Sequence, residues 1–187
     1  MAKIRSEALL ATDAWLYSFP VSTVLPNGAN SELPVLAKEH GIFSEDGFTA
    51  TPSRSVTAIN GSNYGLIRNV VNEGSFTMNG TLVQLNADNL ELSTGTKKDA
   101  TTGGYHWDTN KTGGIRSFVL DYIDETNGKK VRLYIKEGEI TEVGEMSIVD
   151  TGLFSFPITI TAYPSLVDGK MGHVILWEDD YEPIVTP

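Results

Sequence analysis

Residues 73–95, EGSFTMNGTLVQLNADNLELSTG, constrain the fold more than any other stretch, because the hydrophobic period changes once within them. Phe76 and Met78 alternate with polar residues, which is typical of a half-buried β-strand. Asn86 then suits the N-cap of a helix, and Gly95 is placed to end that helix. The stretch therefore predicts a strand that runs into one helix of about two turns.

Most other segments alternate in the same way and are separated by turn signals. Further strands are predicted at 14–19, in two short pieces around Asp46-Gly47 at 40–51, and at 55–71, 105–108, 115–124, 131–136, 153–163 and 172–177. Asn60-Gly61 and Asn127-Gly128 predict tight hairpins. We therefore expect an all-β fold, a β-sandwich or half-barrel of antiparallel strands with one short flanking α-helix.

Two of these strands carry more information than the rest. The strand at 115–124 has apolar residues on both faces, so we expect it to be covered on both sides. In LFSFPITITAY the residues expected to face the core are Phe154, Phe156, Ile158 and Ile160. Pro157 lacks a backbone N–H and predicts a sheet edge or a bulge at that point.

No linker divides the 187 residues, so the sequence predicts one domain with three parts. Residues 1–39 would form an N-terminal strand and an extended arm. Residues 40–177 would form the β-sandwich core, and 178–187 an acidic C-terminal tail.

Charge and composition exclude several classes of function. The formal net charge of −10 disfavours binding to nucleic acid, because phosphate contacts need clustered Lys and Arg. The absence of cysteine excludes disulfides, thiolate nucleophiles and Cys-ligated zinc. No apolar run approaches the roughly 20 residues of a membrane span, and acidic residues interrupt the N-terminal apolar stretch, so we expect no signal peptide.

No motif predicts a catalytic, cofactor-binding or metal-binding residue. The three histidines lie far apart in sequence, without a second ligand at metal spacing. The pairs Asp179-Asp180 and Asp121/Asp124 are more typical of solvated or turn residues than of an ion site. Two alternatives stay open: a glycosidase with two carboxylates on a β-sandwich, and a sugar platform at Tyr105 to Trp107. For these aromatic residues a packed corner under a loop is the more common arrangement.

From residue 41 onward the chain resembles a known family. GIFSEDGFT at 41–49 is similar to a segment of the major tail proteins, or tail tube proteins, of long non-contractile-tailed phages, especially those of actinobacterial hosts. The hairpin at 55–71, the Asn-initiated helix at 86–94, and the segments 131–145 and 156–164 follow in the family's order. The chain departs from the family at the hairpin tip, where Asn60-Gly61-Ser62 replaces a frequent Trp-Gly-Gly.

The resemblance implies a structural virion protein rather than an enzyme. In such a family six copies close into a ring, and rings stack into a hollow tube through which DNA leaves without specific binding. The implied partners are other copies of the chain and the tail terminator, tape measure and tail tip proteins, with no membrane and no cofactor. The protein would be assembled in the host cytoplasm and reside in the virion tail. The alternatives are a carbohydrate-binding or adhesion module, a tail ornament and, third, a β-sandwich hydrolase.

Two groups of residues follow as site hypotheses. The resemblance implies that the hairpin tip touches the next ring, through Ile59, Asn60, Gly61 and Tyr64. An acidic channel wall would repel DNA phosphates, and the segment from 137 to 150 holds five acidic and no basic residues. The residues expected to face the channel are Glu137, Glu139, Glu142 and Glu145.

Overall fold

A computed structural model describes residues 12–21, 24, 26–41, 43–147, 154–167 and 170–181. In chain order the elements are β1 (Asp13–Phe19), β2 (Lys38–Glu39), β3 (Phe43–Gly61), β4 (Gly65–Leu82), α1 (Ala87–Thr94), β5 (Arg116–Asp124), β6 (Lys129–Val143), β7 (Phe156–Ala162), β8 (Ser165–Val167), β9 (Lys170–Gly172) and β10 (Ile175–Asp180). The predicted all-β fold with one short helix is confirmed.

The strands form one antiparallel sheet in the order β2-β1-β5-β6-β7-β4-β3. Strand β6 is long enough to carry two partners on one edge: β10 pairs with its first half, and β7 with its second half. β8 and β9 form a separate small hairpin. No helix in the described part of the chain has the length and hydropathy needed to cross a membrane.

The sheet curls until its two ends nearly meet. The Tyr122 hydroxyl on β5 donates a hydrogen bond of 3.4 Å to the carbonyl of Phe48 on β3. Three strands lie between β5 and β3, so in a flat sheet the two would be roughly 19 Å apart. The sheet is therefore an open half-barrel.

Apolar side chains from the concave face of the sheet form the main core, together with Leu92 from α1. The fully buried members from the sheet include Leu16, Met78, Leu82, Phe118, Leu120, Ile135, Phe156, Ile158 and Ile160. Strand β7 alternates between buried and half-buried residues from end to end, as the sequence predicts. The strand does not lie at an edge: Pro157 pairs with Thr81, and the missing N–H is tolerated one residue after the strand begins.

A second, smaller cluster covers the convex face of β1, β5 and β6. Its buried residues are Phe19, Val119 and Tyr134, and Leu33 and Ala37 of the long connection after β1 pack against them. Strand β5 is thus covered on both sides, as its two apolar faces predict.

The helix begins and ends where its sequence predicts. The Asn86 side chain accepts a hydrogen bond of 2.7 Å from the backbone N–H of Asn89, and Gly95 ends the helix in the left-handed conformation with φ of 69°. A Cβ at Gly95 would lie 2.3 Å from the carbonyl oxygen of Thr112, so only glycine fits there. These local signals were sufficient because caps act within one turn.

A buried histidine fastens this helix to the edge of the sheet. His40 lies between Ser18 of β1, 2.7 Å from its Nε2, and Asn89 of α1, 2.8 Å from its Nδ1. The Asn89 amide already donates to the carbonyls of His40 and Gln84, so its oxygen accepts from His40 Nδ1–H. His40 is therefore the neutral tautomer that accepts from the Ser18 hydroxyl, and burial lowers the pKa of His40 to about 4.

Several predicted boundaries were wrong. The Asp46-Gly47 turn is an irregularity within β3, where Gly47 takes a φ of 64° and the strand continues. The small strand at 105–108 is absent from the described loop, which has no neighbouring strand to pair with. The last strand starts at Ile175, three residues later than predicted, and it runs to Asp180 because Lys129 and Lys130 lie opposite its acidic end.

Candidate assembly surfaces

The most prominent surface feature is a two-stranded hairpin, residues 53–75, which we call the arm from here on. It is not the extended segment predicted within residues 1–39. Strand β7 pairs with β4 only as far as Phe76, so beyond that point β3 and β4 pair with each other and with no other described strand. The nine residues from Ser53 to Gly61 extend roughly 30 Å. Apart from two half-buried positions, every residue of the arm is exposed. The arm therefore projects from the body without a core of its own.

The arm carries large apolar side chains that the subunit does not cover. They are Val56, Ile59, Tyr64, Leu66, Ile67 and Val71, and Tyr64 at the tip is 88% exposed. A predicted inter-ring residue, Ile59, is 44% exposed, and Ile67 folds over Gly61, where a Cβ would lie 2.8 Å from its Cδ1. The four predicted residues thus lie together at or beside the tip. Six large apolar side chains left exposed on one projection are typical of a contact with another molecule.

Polar side chains line the convex face of β3, β4, β7 and β6 in two registered rows. One row is Thr51–Thr77–Thr161–Glu139 and the other is Thr49–Asn79–Thr159–Glu142. We call these eight residues the threonine face. The alternating residues on β4 and β7, such as Met78 and Ile160, enter the core, which places the rows on the opposite side. An open groove of about 940 Å³ lies along this face, bordered by Trp107 and Lys111.

Two irregularities in β6 decide which acidic residues reach the threonine face. A shift beside β5 between Ile135 and Gly138, and another beside β7 between Ile140 and Glu142, change which residues point outward. As a result Glu139 and Glu142 both lie on the face, although three positions separate them. Of the other two predicted residues, Glu137 lies half-buried at the first irregularity, and Glu145 is exposed beyond the end of β6.

Glu139 is held in place by its neighbours. The Tyr163 hydroxyl donates a hydrogen bond of 2.8 Å to its carboxylate, and the Thr112 hydroxyl contacts the other carboxylate oxygen. The bond to Glu139 raises the pKa of Tyr163. Neither row contains Lys or Arg, so the face presents hydroxyls, one amide and two carboxylates.

The remaining candidates for chemistry lie apart from these surfaces. His40 is buried, His106 is on an exposed loop, and His173 lies beside Gly74 at the base of the arm. Among the described residues, no three His, Asp or Glu side chains cluster closely enough to hold a metal ion. Trp107, the proposed sugar platform, is 41% exposed at the border of the groove. The signal for the threonine face is present in the sequence as threonines at period two, which were interpreted only as the outward faces of strands.

Comparison with known proteins identifies relatives at the level of family and fold. A family model described as phage tail tube protein matches residues 1–177. No curated protein sequence matches the chain. A chain from the sheath–tube complex of an extracellular contractile injection system (PVC) in the extended state has a similar fold. Its TM-score is 0.52, it is 6% identical, and the match covers 94% of this chain and 98% of that chain.

Two further solved structures are more distant. One is the tube terminating cap of the anti-feeding prophage, with a TM-score of 0.46 and 7% identity over 94% of this chain and 98% of that chain. The other is a crystal structure of Hcp protein, with a TM-score of 0.36 and 10% identity over 90% of this chain and 98% of that chain.

Proposed function

The chain belongs to the phage tail tube protein family, and we propose that six copies close into a ring and that the rings stack through the arm. The protein is a structural component of the virion tail. The single observation that carries the stacking is the uncovered arm, because a projection of roughly 30 Å with apolar side chains and no core needs a partner surface. Residues 1–187 act as one domain in this role.

The threonine face is proposed to line the channel. Duplex DNA is a dense row of negative charges, and neither row of the face contains Lys or Arg to bind its phosphates. Lys111, at the border of the groove, lies 3.7 Å from the Asp108 carboxylate, which offsets its charge. The Glu139 and Glu142 carboxylates repel the phosphates, and Glu137 and Glu145 add acidic charge at the two margins of the face. DNA then passes without specific binding, as ejection requires.

Two aspects of the assembly follow from a tube built in this way. Each end of the tube leaves a ring with unfilled contacts, which the tail terminator and the tail tip proteins complete, while the tape measure protein occupies the channel during assembly. The subunit performs no catalysis and contacts no membrane. The family assignment favours this role over the carbohydrate-binding, ornament and hydrolase alternatives.

Electron microscopy of the purified chain at rising concentration tests the proposal. We expect rings and then tubes of uniform width, with six-fold symmetry in end views. The matched control replaces residues 55–73 with Asn-Gly, which joins Arg54 to Gly74, a directly registered pair. This variant should fold but form no long tubes. A wild-type chain that stays monomeric at millimolar concentration contradicts the proposal.

A further inference from the structure

A cleft of about 570 Å³ opens where the two ends of the curled sheet approach each other. One wall is the start of β1, from Asp13 to Trp15, and the other is the start of β3, from Phe43 to Phe48. Tyr122 crosses the floor, and its hydroxyl donates to the Phe48 carbonyl, which bridges the gap at this point. The cleft shares Asp46 and Gly47 with the groove along the threonine face, but none of the eight residues of that face lines the cleft.

On both walls of the cleft, some backbone groups have no partner among the described residues. Strand β2 pairs with β1 only at Tyr17 and Ser18. The Leu16 carbonyl on the same edge accepts from His40 N–H, so the peptide groups of Ala14, two residues earlier, face the cleft without a described partner. On the other wall, β3 is the last strand of the sheet among the described residues. An unpaired edge of this kind accepts a strand from another chain.

The backbones of β1 and β3 form the walls of the cleft, while the rings of Phe43 and Phe48 contribute with Tyr122 to an aromatic floor, and acidic side chains form the rim. Phe43 and Phe48 pack edge to face with ring centroids 4.7 Å apart, and the Ser44 hydroxyl between them is buried without a described partner. The charged residues that line the cleft are all acidic: Asp13, Glu39, Glu45 and Asp46. All four are exposed. The cleft therefore favours an occupant that is both apolar and cationic.

The arm has this composition. It contains two arginines and one glutamate, in a chain whose formal net charge is −10. Arg68 follows the exposed Leu66 and Ile67 near the tip, so one end of the arm offers apolar side chains beside a cation. Arg–carboxylate pairs provide geometric specificity as well as attraction.

The arm of a subunit cannot fill the cleft of the same subunit. Phe48 and Gly61 lie thirteen residues apart on the single strand β3, which corresponds to roughly 43 Å when the strand is straight. Cleft and tip are thus at opposite ends of one strand. A contact between them joins two copies head to tail and repeats without limit.

We propose that the acidic cleft between β1 and β3 is the receptor for the arm of a second copy, with Leu66 and Ile67 over the aromatic floor and Arg68 at the rim. This inference rests on the proposed role of the arm in stacking. The cleft is the surface that would receive the arm. Stacking through the arm could still occur if the receiving surface lay elsewhere.

Disulfide trapping tests the receptor directly, because the chain contains no cysteine. The variant Ile67→Cys, Glu45→Cys should form intermolecular disulfide ladders when assembled tubes are oxidised, since the Cβ atoms must approach within about 4.5 Å. The matched control, Ile67→Cys with Thr109→Cys, places the second thiol on an exposed loop away from the cleft and should form at least tenfold less ladder. Ladders in the control alone, or in neither variant, overturn the receptor.

A charge exchange provides a second readout that survives if the cysteines disturb folding. Arg68→Glu should reduce the tube yield at least tenfold, and Glu45→Lys in the same chain should restore most of it. Tubes of normal yield from Arg68→Glu overturn the assignment of the cleft but leave the proposed function intact. If the wild-type chain forms no tubes, both the function and the receptor fail.

Discussion

Asp121 and Arg132 face each other directly across β5 and β6 and are joined by two parallel hydrogen bonds of 2.6 and 2.7 Å, with both residues buried. The Arg132 guanidinium also donates to the carbonyls of Gly28 and Ser31, 3.1 and 2.7 Å away. One ion pair thus fixes the sheet and the loop that covers its convex face. The pair is buried because the loop lies over it.

Removing the cation should destabilise the fold strongly. In Arg132→Met, Asp121 stays buried, and among the described residues Lys130, at 3.1 Å, is the one cation left to neutralise it. We expect a loss of about 3 kcal/mol in the free energy of unfolding, measured by urea denaturation. The control is Lys129→Met, because the Lys129 pair with Asp180 is at the surface and its loss should change little. Equal effects of the two substitutions contradict the prediction.

Truncation of one core aromatic tests the register of β7. Phe156 is 1% exposed in the main core. Phe156→Ala should lower the free energy of unfolding by about 3–5 kcal/mol because it leaves a cavity. Thr159→Ala, on the threonine face of the same strand, serves as the control and should cost far less. A loss below about 1 kcal/mol for Phe156→Ala means that the strand is shifted by one residue, which exchanges its faces.

The buried histidine makes stability depend on pH. The pKa of His40 falls from its ordinary 6.5 to about 4 in the fold because burial disfavours the imidazolium. The unfolded chain therefore takes up the proton first as pH drops. The contribution of neutral His40 to the free energy of unfolding is complete above pH 6.5. It declines by about 1.4 kcal/mol per pH unit as the pH falls toward 4.

Urea denaturation between pH 7 and pH 5 measures this slope above the range in which most carboxylates titrate. His40→Gln should flatten the slope, while His106→Gln on the exposed loop should keep it. A slope that is unchanged in His40→Gln assigns the pH dependence to other groups.

The arm tip is expected to matter for assembly and not for folding. In the double variant Ile59→Asp, Tyr64→Asp, charge replaces apolar surface that the subunit leaves exposed, so the subunit should keep its unfolding midpoint. Long tubes should disappear in electron micrographs, because a weak contact repeated around a ring controls polymerisation. The conservative pair Ile59→Val, Tyr64→Phe should still form tubes. Tubes of normal length from the Asp variant place the stacking contact elsewhere, first of all in the connection 21–39.

The channel wall is expected to leave DNA unbound. Assembled wild-type tubes should retain no duplex DNA on filters at physiological salt. Glu139→Lys, Glu142→Lys should increase retention, since the two changes convert the charged ends of both rows to cations. Tight retention by the wild type contradicts an acidic channel.

The elements that could be predicted from sequence are those with local signals. Asn86 and Gly95 delimit α1, Asn127-Gly128 forms the β5–β6 hairpin, and the alternation of β7 matches its burial. The length of the arm could not be predicted in this way, because alternation indicates that 55–71 forms strands but not that β7 stops beside Phe76 and leaves them uncovered.

The features that escaped prediction depend on contacts between distant segments. The alternation of β6 placed Arg132 on a polar face, but Asp121 from the next strand and the loop above it bury the guanidinium. The acids of the cleft come from three separate stretches, which only the closure of the sheet brings together. Glu178 to Asp180 were assigned to a tail because their partners on β6, which include Lys130 opposite Asp179 and Lys129 opposite Asp180, are about fifty residues away in sequence.

The length of β3 from Phe48 to Gly61 fixes the distance between the cleft and the arm tip of one subunit. If the tip of one copy enters the cleft of the next, the repeat distance along the tube is set by how many residues this strand contains, and not by the size of the body. Deleting two residues from each strand of the arm preserves the alternation of faces and shortens the reach by roughly 7 Å. Such a tube would keep its width and have a smaller helical rise, so a phage lineage can adjust the pitch of its tail without repacking the core.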